Sequence, residues 1–329
     1  MARLCSGVFR LNRLQLLLSC TALTIIFYFL RGRSESDPRP SPTHAVVAFW
    51  NRAPAPPLGH SLSPRSSVTS WGAPLVWGAS PLAAQRRARF QGPPPSTALV
   101  ALVVGNYAFY LERFLSSAEA HFLPNRPVIY YILTDNERTL QPAPALGPGR
   151  ELRVVPIAEL PGWDRLHLRR LQLLADTLRD IVSEDAAEYV FCADVDLEFH
   201  RALHEEILDE LVGVVHADFY GKVRGEFPYE SGESAAAVSE DEGEWYYTSE
   251  LYGGTARRVL SFTQGCCLLL LQDQAQGVRA QRREESYLNR CFIDHAPSCV
   301  LSPEYSGGGA TPRVRSRGRG HGEARRGPG

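Results

Sequence analysis

The chain of 329 residues lacks several features that would place it in a common class of protein. Its formal net charge is only −1, so the total gives no sign of a polyanionic partner. It has no Cys-x-x-Cys pair, no zinc-ligand spacing and no Asn-x-Ser/Thr sequon for N-glycosylation. Its seven cysteines could form a disulfide, but the sequence does not indicate which of them would pair. No internal repeat is present, which excludes solenoids and propellers. Without a nucleophile elbow or a His-rich metal set, a secreted metal-dependent hydrolase is disfavoured.

The near-zero net charge hides an uneven distribution. Residues 97–305 contain 18 basic and 33 acidic residues, a net charge of −15. Residues 1–30 contain three arginines and no acid, residues 31–96 eight arginines and two acids, and residues 306–329 six arginines and one acid. An acidic body with basic ends argues against nucleic-acid binding, because that function requires a basic face.

Residues 14–30 form an uncharged apolar stretch preceded by Arg3, Arg10 and Arg13. Two interpretations compete, a cleaved signal peptide and an uncleaved signal-anchor. The stretch ends in four bulky residues and lacks a small-residue cleavage site, which disfavours cleavage. Its 17 residues are long enough for a short transmembrane helix. We favour a signal-anchor with residues 1–13 as a cytosolic tail and the rest of the chain in the lumen.

The regions flanking the acidic body have biased compositions. Residues 31–96 are rich in proline, serine and arginine and predict a flexible stem, whose one apolar cluster at 70–78 is expected to pack on the body. Residues 306–329 contain a single aliphatic side chain and predict a disordered Arg/Gly-rich tail. The folded domain is therefore assigned to residues 97–305.

The body shows an alternation of strand and helix patterns. Short apolar runs at 97–104, 128–133 and 188–193 predict buried strands. Helical spacing of apolar residues at 107–122 and 166–182 predicts covering helices. This alternation is typical of an α/β fold with a mainly parallel sheet, whose ligands bind at the carboxyl ends of the strands.

The strongest chemical signal is the segment EYVFCADVDLEF at 188–199. An apolar strand ends there in Asp194-Val195-Asp196, and residues two apart in an extended segment point to the same side. Two carboxylates without soft ligands suit Mn²⁺ or Mg²⁺, which could join an acidic domain to an anionic diphosphate. The alternative is a pair of solvated aspartates after a strand.

Ten short segments in order along residues 70–305 carry a resemblance to a known family. They are SWGAPLVWG, FLSSAEAHF, IYYILTDN, HLRRLQLL, FCADVDLEF, FPYESGESAAA, DEGEWYY, LYGG, EESYLNRCF and VLSPEY. This collinear set resembles the family-6 glycosyltransferases, which comprise the histo-blood-group A/B transferases, the Forssman (globoside) synthase and the α-1,3-galactosyltransferases.

The resemblance implies a GT-A-type, Rossmann-like nucleotide-sugar transferase fold. It implies a Mn²⁺-dependent, retaining transfer of Gal or GalNAc from UDP-Gal or UDP-GalNAc to a galactose-type acceptor on a glycolipid or glycoprotein, in α-1,3 linkage. The predicted anchor and stem match the layout of the family. We therefore expect a single-pass type II Golgi membrane protein whose catalytic domain at 97–305 is lumenal.

The resemblance also assigns site residues by position. Asp194 and Asp196 match the metal-binding motif, Glu285 the candidate nucleophile, and His216 an acceptor-binding histidine. The donor-binding set that it implies is Leu102, Val104, Tyr107, Arg170, Asp194, Thr248 and Glu250.

Four residues near Glu285 differ from the family pattern. Arg282, Arg283 and Glu284 stand where the family has Trp-His-Asp, and Tyr287 stands where it has a histidine. A second hypothesis is therefore a catalytically impaired lumenal member that binds UDP or glycan without turnover.

Overall fold

A computed structural model describes residues 68–158 and 163–306 of the chain. The predicted cytosolic tail, the signal-anchor, the stem up to residue 67 and the tail after residue 306 lie outside the described residues, so those assignments stay predictions. In the part of the chain that is described, no helix combines the length and the apolar character needed to cross a bilayer.

The described strands form a single eight-stranded sheet. In chain order they are β1 (Leu75–Val76), β2 (Thr97–Val103), β3 (Val128–Thr134), β4 (Arg150–Pro156), β5 (Tyr189–Asp194), β6 (Leu211–Val215), β7 (Tyr247–Thr255) and β8 (Cys299–Leu301). Their spatial order is β1-β8-β6-β7-β5-β2-β3-β4. Among these strands β7 alone runs antiparallel to its neighbours β5 and β6, so the mainly parallel sheet is confirmed.

Five α-helices accompany the described strands. They are α1 (Pro81–Arg87), α2 (Leu111–His121), α3 (Trp163–Ser183), α4 (Ala256–Gln276) and α5 (Glu284–Asp294). Short 3-10 turns occupy Gly105–Tyr110, Glu137–Leu140, Glu205–Ile207, Arg224–Glu226 and Pro303–Tyr305.

Helices cover both faces of the sheet. All seven residues of β2 are buried, as expected for a central strand covered on both sides. The alternate β2 side chains Leu99 and Ala101 share a core with Phe114 of α2. On the strand beyond β5 in the sheet, Tyr252 of β7 packs on Phe262 of α4, with ring centroids 5.9 Å apart. The layered α/β architecture is therefore confirmed.

The predicted strands and helices agree with the structure to within a few residues at each end, with one difference in type. The helix predicted at 107–122 is divided into the 3-10 turn Gly105–Tyr110 and the α-helix α2. Gly105 has φ of 55°, in the left-handed region that glycine adopts readily, so the chain turns sharply at the end of β2. This turn brings Tyr107 to the carboxyl edge of the sheet.

Residues 68–96, which the sequence assigned to the stem, contain β1 and α1. The strand β1 pairs in parallel with β8, and the indole N–H of Trp71 donates to the carbonyl of Pro297 at 2.9 Å. Arg86 of α1 is 2% exposed and forms an ion pair with Asp209 at 3.0 Å. The folded body therefore begins before Thr97, because this apolar stretch supplies an edge strand to the sheet.

Candidate active site

The pair Asp194 and Asp196 lies at the carboxyl end of β5. Asp194 is the last residue of that strand and pairs in register with Leu102 on β2. A turn follows at once, in which the Leu197 N–H donates to the Asp194 carbonyl at 3.1 Å. Both carboxylates therefore belong to the sheet edge at which α/β proteins bind ligands.

A pocket with a volume of about 240 Å³ opens at this edge. It contains the predicted metal-binding pair and four further residues of the predicted donor-binding set. The lining residues are Leu102, Val104, Tyr107, Leu166, Arg170, Asp194, Val195, Asp196, Arg283 and Glu284. Residues from β2, α3, β5 and α5 thus meet in one cleft, which we call the donor pocket.

Arg170 connects three of these elements. Its guanidinium donates to Asp194 Oδ1 on β5 and to Glu284 Oε1 on α5, the latter at 3.2 Å. All three side chains are less than a fifth exposed. Burial alone would lower the pKa of Arg170, but the two carboxylates more than offset it and hold the pKa above its ordinary value. Arg170 therefore stays charged and fixes the orientation of Asp194.

The two aspartates suit a hard divalent cation. Asp196 is exposed and forms no ion pair with any residue that the structure describes. Partial burial and the negative charge of Asp194 raise the pKa of Asp196. Such uncompensated carboxylate oxygens are the ligands that Mn²⁺ and Mg²⁺ prefer. In the described ranges no group of three or more His, Cys, Asp or Glu side chains is arranged to hold a metal.

Another part of the lining of the donor pocket is apolar and aromatic. Leu102 and Val104 are 9% and 8% exposed, and Tyr107 follows in the 3-10 turn. Burial raises the pKa of Tyr107, and the Asp196 carboxylate raises it further, so the phenol stays neutral at physiological pH. This part of the lining offers a flat ring and aliphatic groups to a ligand.

Glu285 follows Glu284 in the first turn of α5, but it is absent from the lining of the donor pocket and contacts an aromatic side chain instead. The phenol of Tyr246 donates to Glu285 Oε1 at 2.8 Å. The His216 ring lies 5.9 Å from that of Tyr246, measured between centroids. Burial lowers the pKa of His216, although Glu285 acts in the opposite direction, so the imidazole is neutral near pH 7. The predicted nucleophile and the predicted acceptor-binding histidine therefore share one aromatic neighbour.

Thr248 and Glu250 on β7 have different surroundings. Thr248 is 2% exposed and its hydroxyl accepts the backbone N–H of Glu250 at 3.2 Å. Thr248 is therefore a buried positioning group and is absent from the lining of the donor pocket. Partial burial and the surrounding acids raise the pKa of Glu250 to about 7. The acids that face it are Asp194, Asp196, Glu285 and Asp218.

The raised pKa of Glu250 predicts a pH-dependent change in stability. The folded protein binds this proton more tightly than the unfolded chain, so stability is lost as pH rises from about 4.5 to about 7. Glu250→Gln is therefore expected to raise the free energy of unfolding at pH 8 and to leave it unchanged at pH 4.5. Because Glu250 is more than a third exposed, we expect about 1 kcal/mol rather than the full electrostatic value.

Urea unfolding of the wild type and the variant at both pH values, with a chelator present, measures this difference. The exposed Glu240→Gln is the matched control. An equal difference at pH 4.5 and pH 8 would contradict the assignment.

Besides the apolar lining residues Leu166 and Val195, three polar contributors to the site were not predicted as site residues. Glu284 and Arg283 line the donor pocket, and Tyr246 holds Glu285. The charged run Arg282-Arg283-Glu284-Glu285 was the available signal, but it is equally compatible with a solvated helix face.

Comparison with known proteins agrees with this architecture. A family profile described as "Glycosyltransferase family 6" matches residues 49–315. The globoside alpha-1,3-N-acetylgalactosaminyltransferase 1 of Gallus gallus is 37% identical over 240 residues, covering 73% of this chain and 69% of the relative. The alpha-1,3-galactosyltransferase 2 of Homo sapiens is 36% identical over 246 residues, covering 73% and 70%. The histo-blood group ABO system transferase 2 of Rattus norvegicus is 33% identical over 239 residues, covering 72% and 71%.

The family profile covers far more than half of the chain, and several relatives exceed 30% identity over more than two thirds of it. Two of those relatives are named as an N-acetylgalactosaminyltransferase and a galactosyltransferase, which both transfer a hexose unit, and the resemblance inferred from the ten segments is confirmed. The chain is therefore a hexosyltransferase and belongs to glycosyltransferase family 6.

Proposed function

We propose that this protein is a retaining, Mn²⁺-dependent transferase of the GT-A type. It moves GalNAc or Gal from a UDP-sugar to a galactose-type acceptor on a glycolipid or glycoprotein and forms an α-1,3 bond. The observation that carries the proposal is the Arg170 junction, which joins Asp194 in the donor pocket to Glu284, the residue that precedes Glu285 in α5. The names of the relatives support the sugar class and the linkage.

In this proposal the residues of the donor pocket bind different parts of the UDP-sugar. Asp194 and Asp196 would hold Mn²⁺, which when bound supplies positive charge to the departing diphosphate. Arg170 keeps Asp194 ionised and oriented. Leu102, Val104 and Tyr107 form the apolar wall against which uracil packs.

Glu285 acts at the anomeric carbon in this proposal. Retention of configuration requires either a carboxylate on the far side of that carbon or attack from the face that the leaving group occupied. The Glu285 carboxylate, oriented by the Tyr246 hydroxyl, would form a covalent intermediate or stabilise positive charge on the sugar ring. Neutral His216 would bind hydroxyl groups of the acceptor. Glu250 would border the donor sugar from β7, and the buried Thr248 would act indirectly by holding the backbone N–H of Glu250.

The concentration of negative charge supports a second candidate. Burial raises the pKa of Glu250, and the nearby carboxylates of Asp194, Asp196 and Glu285 raise it further. A member of the family with this pocket could bind UDP or glycan without catalysing transfer.

We also propose that residues 14–30 anchor the protein in the Golgi membrane as a type II protein.

A transfer assay separates these proposals. Radiolabelled UDP-Gal and UDP-GalNAc are supplied with Mn²⁺ and a panel of galactose-terminated acceptors to Golgi membranes and to cytosol from cells that express the full chain. We expect transfer in the membrane fraction, an α-anomeric product by NMR, and loss of transfer with a chelator. Binding of UDP by calorimetry without transfer or donor hydrolysis would support the second candidate instead.

A further inference from the structure

The donor pocket contains two arginines in different electrostatic situations. Arg170 is engaged by Asp194 and Glu284. Arg283 is exposed and forms no ion pair with any residue in the described ranges. The five charged side chains of the pocket comprise these two arginines and the carboxylates of Asp194, Asp196 and Glu284, so acids outnumber bases. Arg283 is thus the pocket cation that is not already neutralised by protein.

The backbone of Arg283 is held in an unusual conformation. Its φ and ψ are 54° and −128°, a region that residues with a Cβ seldom occupy. Its N–H donates to the carbonyl of Ala280 at 3.2 Å, and it immediately precedes the first turn of α5. Strain of this kind is concentrated at functional sites, where it fixes the direction of a side chain. Here it is found at the point where α5 enters the pocket.

The neighbouring arginines Arg279 and Arg282 do not line the donor pocket. Arg279 borders a second cavity of about 390 Å³, which it shares with Arg283, but it does not line the donor pocket. The charge of Arg282 acts on Tyr246 and His216, on the side of the predicted acceptor site. Among these three exposed arginines, Arg283 alone borders the space beside Asp194 and Asp196.

We propose that Arg283 is a diphosphate-binding residue of the donor pocket. Its guanidinium donates hydrogen bonds to phosphate oxygens of the nucleoside diphosphate in the pocket that it shares with Asp194 and Asp196. A planar guanidinium matches the geometry of phosphate oxygens, and such charge-assisted bonds are among the stronger ones in proteins. This inference rests on the proposed use of a UDP-sugar and adds a protein cation to the recognition of its diphosphate.

Binding measurements on the full-length protein test the inference without requiring turnover. UDP and uridine are titrated separately in the presence of Mn²⁺, because the two ligands differ only in the diphosphate. Arg283→Gly is the informative variant, since glycine tolerates a positive φ and should not lower the melting temperature. Arg279→Ala removes the same charge from the neighbouring cavity and serves as the matched control.

We expect Arg283→Gly to weaken UDP binding by roughly tenfold to a hundredfold, with uridine binding unchanged. Arg279→Ala should leave the binding of both ligands within about twofold. Equal UDP affinity in Arg283→Gly and wild type would overturn the inference and leave the proposed function standing. An equal loss for UDP and uridine would show a structural role and would overturn it as well. A wild-type protein that binds no UDP would overturn both the inference and the proposed function.

Discussion

Replacing Asp196 with alanine should lower the Mn²⁺-dependent transfer rate by about a thousandfold, because the exposed carboxylate is the more available of the two proposed metal ligands. Asp196 forms no ion pair within the described ranges, so its removal should disturb the fold little. Asp194→Ala is a less clear experiment, since it would also remove a partner of the buried Arg170.

Initial rates measured over a range of Mn²⁺ concentrations provide the test. The exposed Asp241→Ala is the control, because it removes an equal charge outside the donor pocket. We expect Asp196→Ala to lose both turnover and Mn²⁺-dependent UDP binding, with a thermal unfolding curve like that of the wild type. Retention of the full response to Mn²⁺ would refute the assignment of Asp196.

Glu285→Gln should lower kcat by about a thousandfold with little change in UDP affinity. The substitution keeps the shape of the side chain, and the amide oxygen can still accept a hydrogen bond from the hydroxyl group of Tyr246. What it removes is the negative charge that would face the anomeric carbon. A loss confined to kcat therefore reports on chemistry rather than on assembly of the site.

Tyr246→Phe is the companion variant for Glu285. It keeps the ring that packs against His216 and removes only the hydrogen bond to the carboxylate. We expect a loss of about tenfold, in keeping with a positioning role. If Glu285→Gln retains kcat within tenfold of the wild type, the carboxylate is not the group that acts at the anomeric carbon, and the mechanism must rely on front-face attack.

Much of the sheet and the centre of the site could be predicted because their signals are local. Continuous apolar runs identify strands that are buried on both faces, and β2, β3 and β5 all have this pattern. An aspartate that directly follows such a run must lie at the carboxyl edge of the sheet. The position of Asp194 and Asp196 at this edge of the sheet therefore follows from the sequence alone.

The remaining features depend on tertiary packing. Glu284 and Glu285 are adjacent in sequence, yet Glu284 pairs with Arg170 while Glu285 accepts from Tyr246. Successive residues of a helix point about 100° apart, so only the placement of α5 decides which carboxylate faces the donor. The raised pKa of Glu250 likewise arises from acids brought together from other elements, which a sequence pattern does not encode.

The pairing of β1 with β8 sets a condition on the order of folding. Val76 pairs with Leu301, near the two ends of the described chain, and β8 also pairs with β6 in the interior of the sheet. During synthesis β8, the partner of β1, follows every other described strand. Contacts so distant in sequence close slowly. The nascent chain must therefore keep β1 unpaired until β8 has been made. Truncation before residue 299 would leave β1 without the neighbour that the structure describes for it, and β6 would pair with β7 alone.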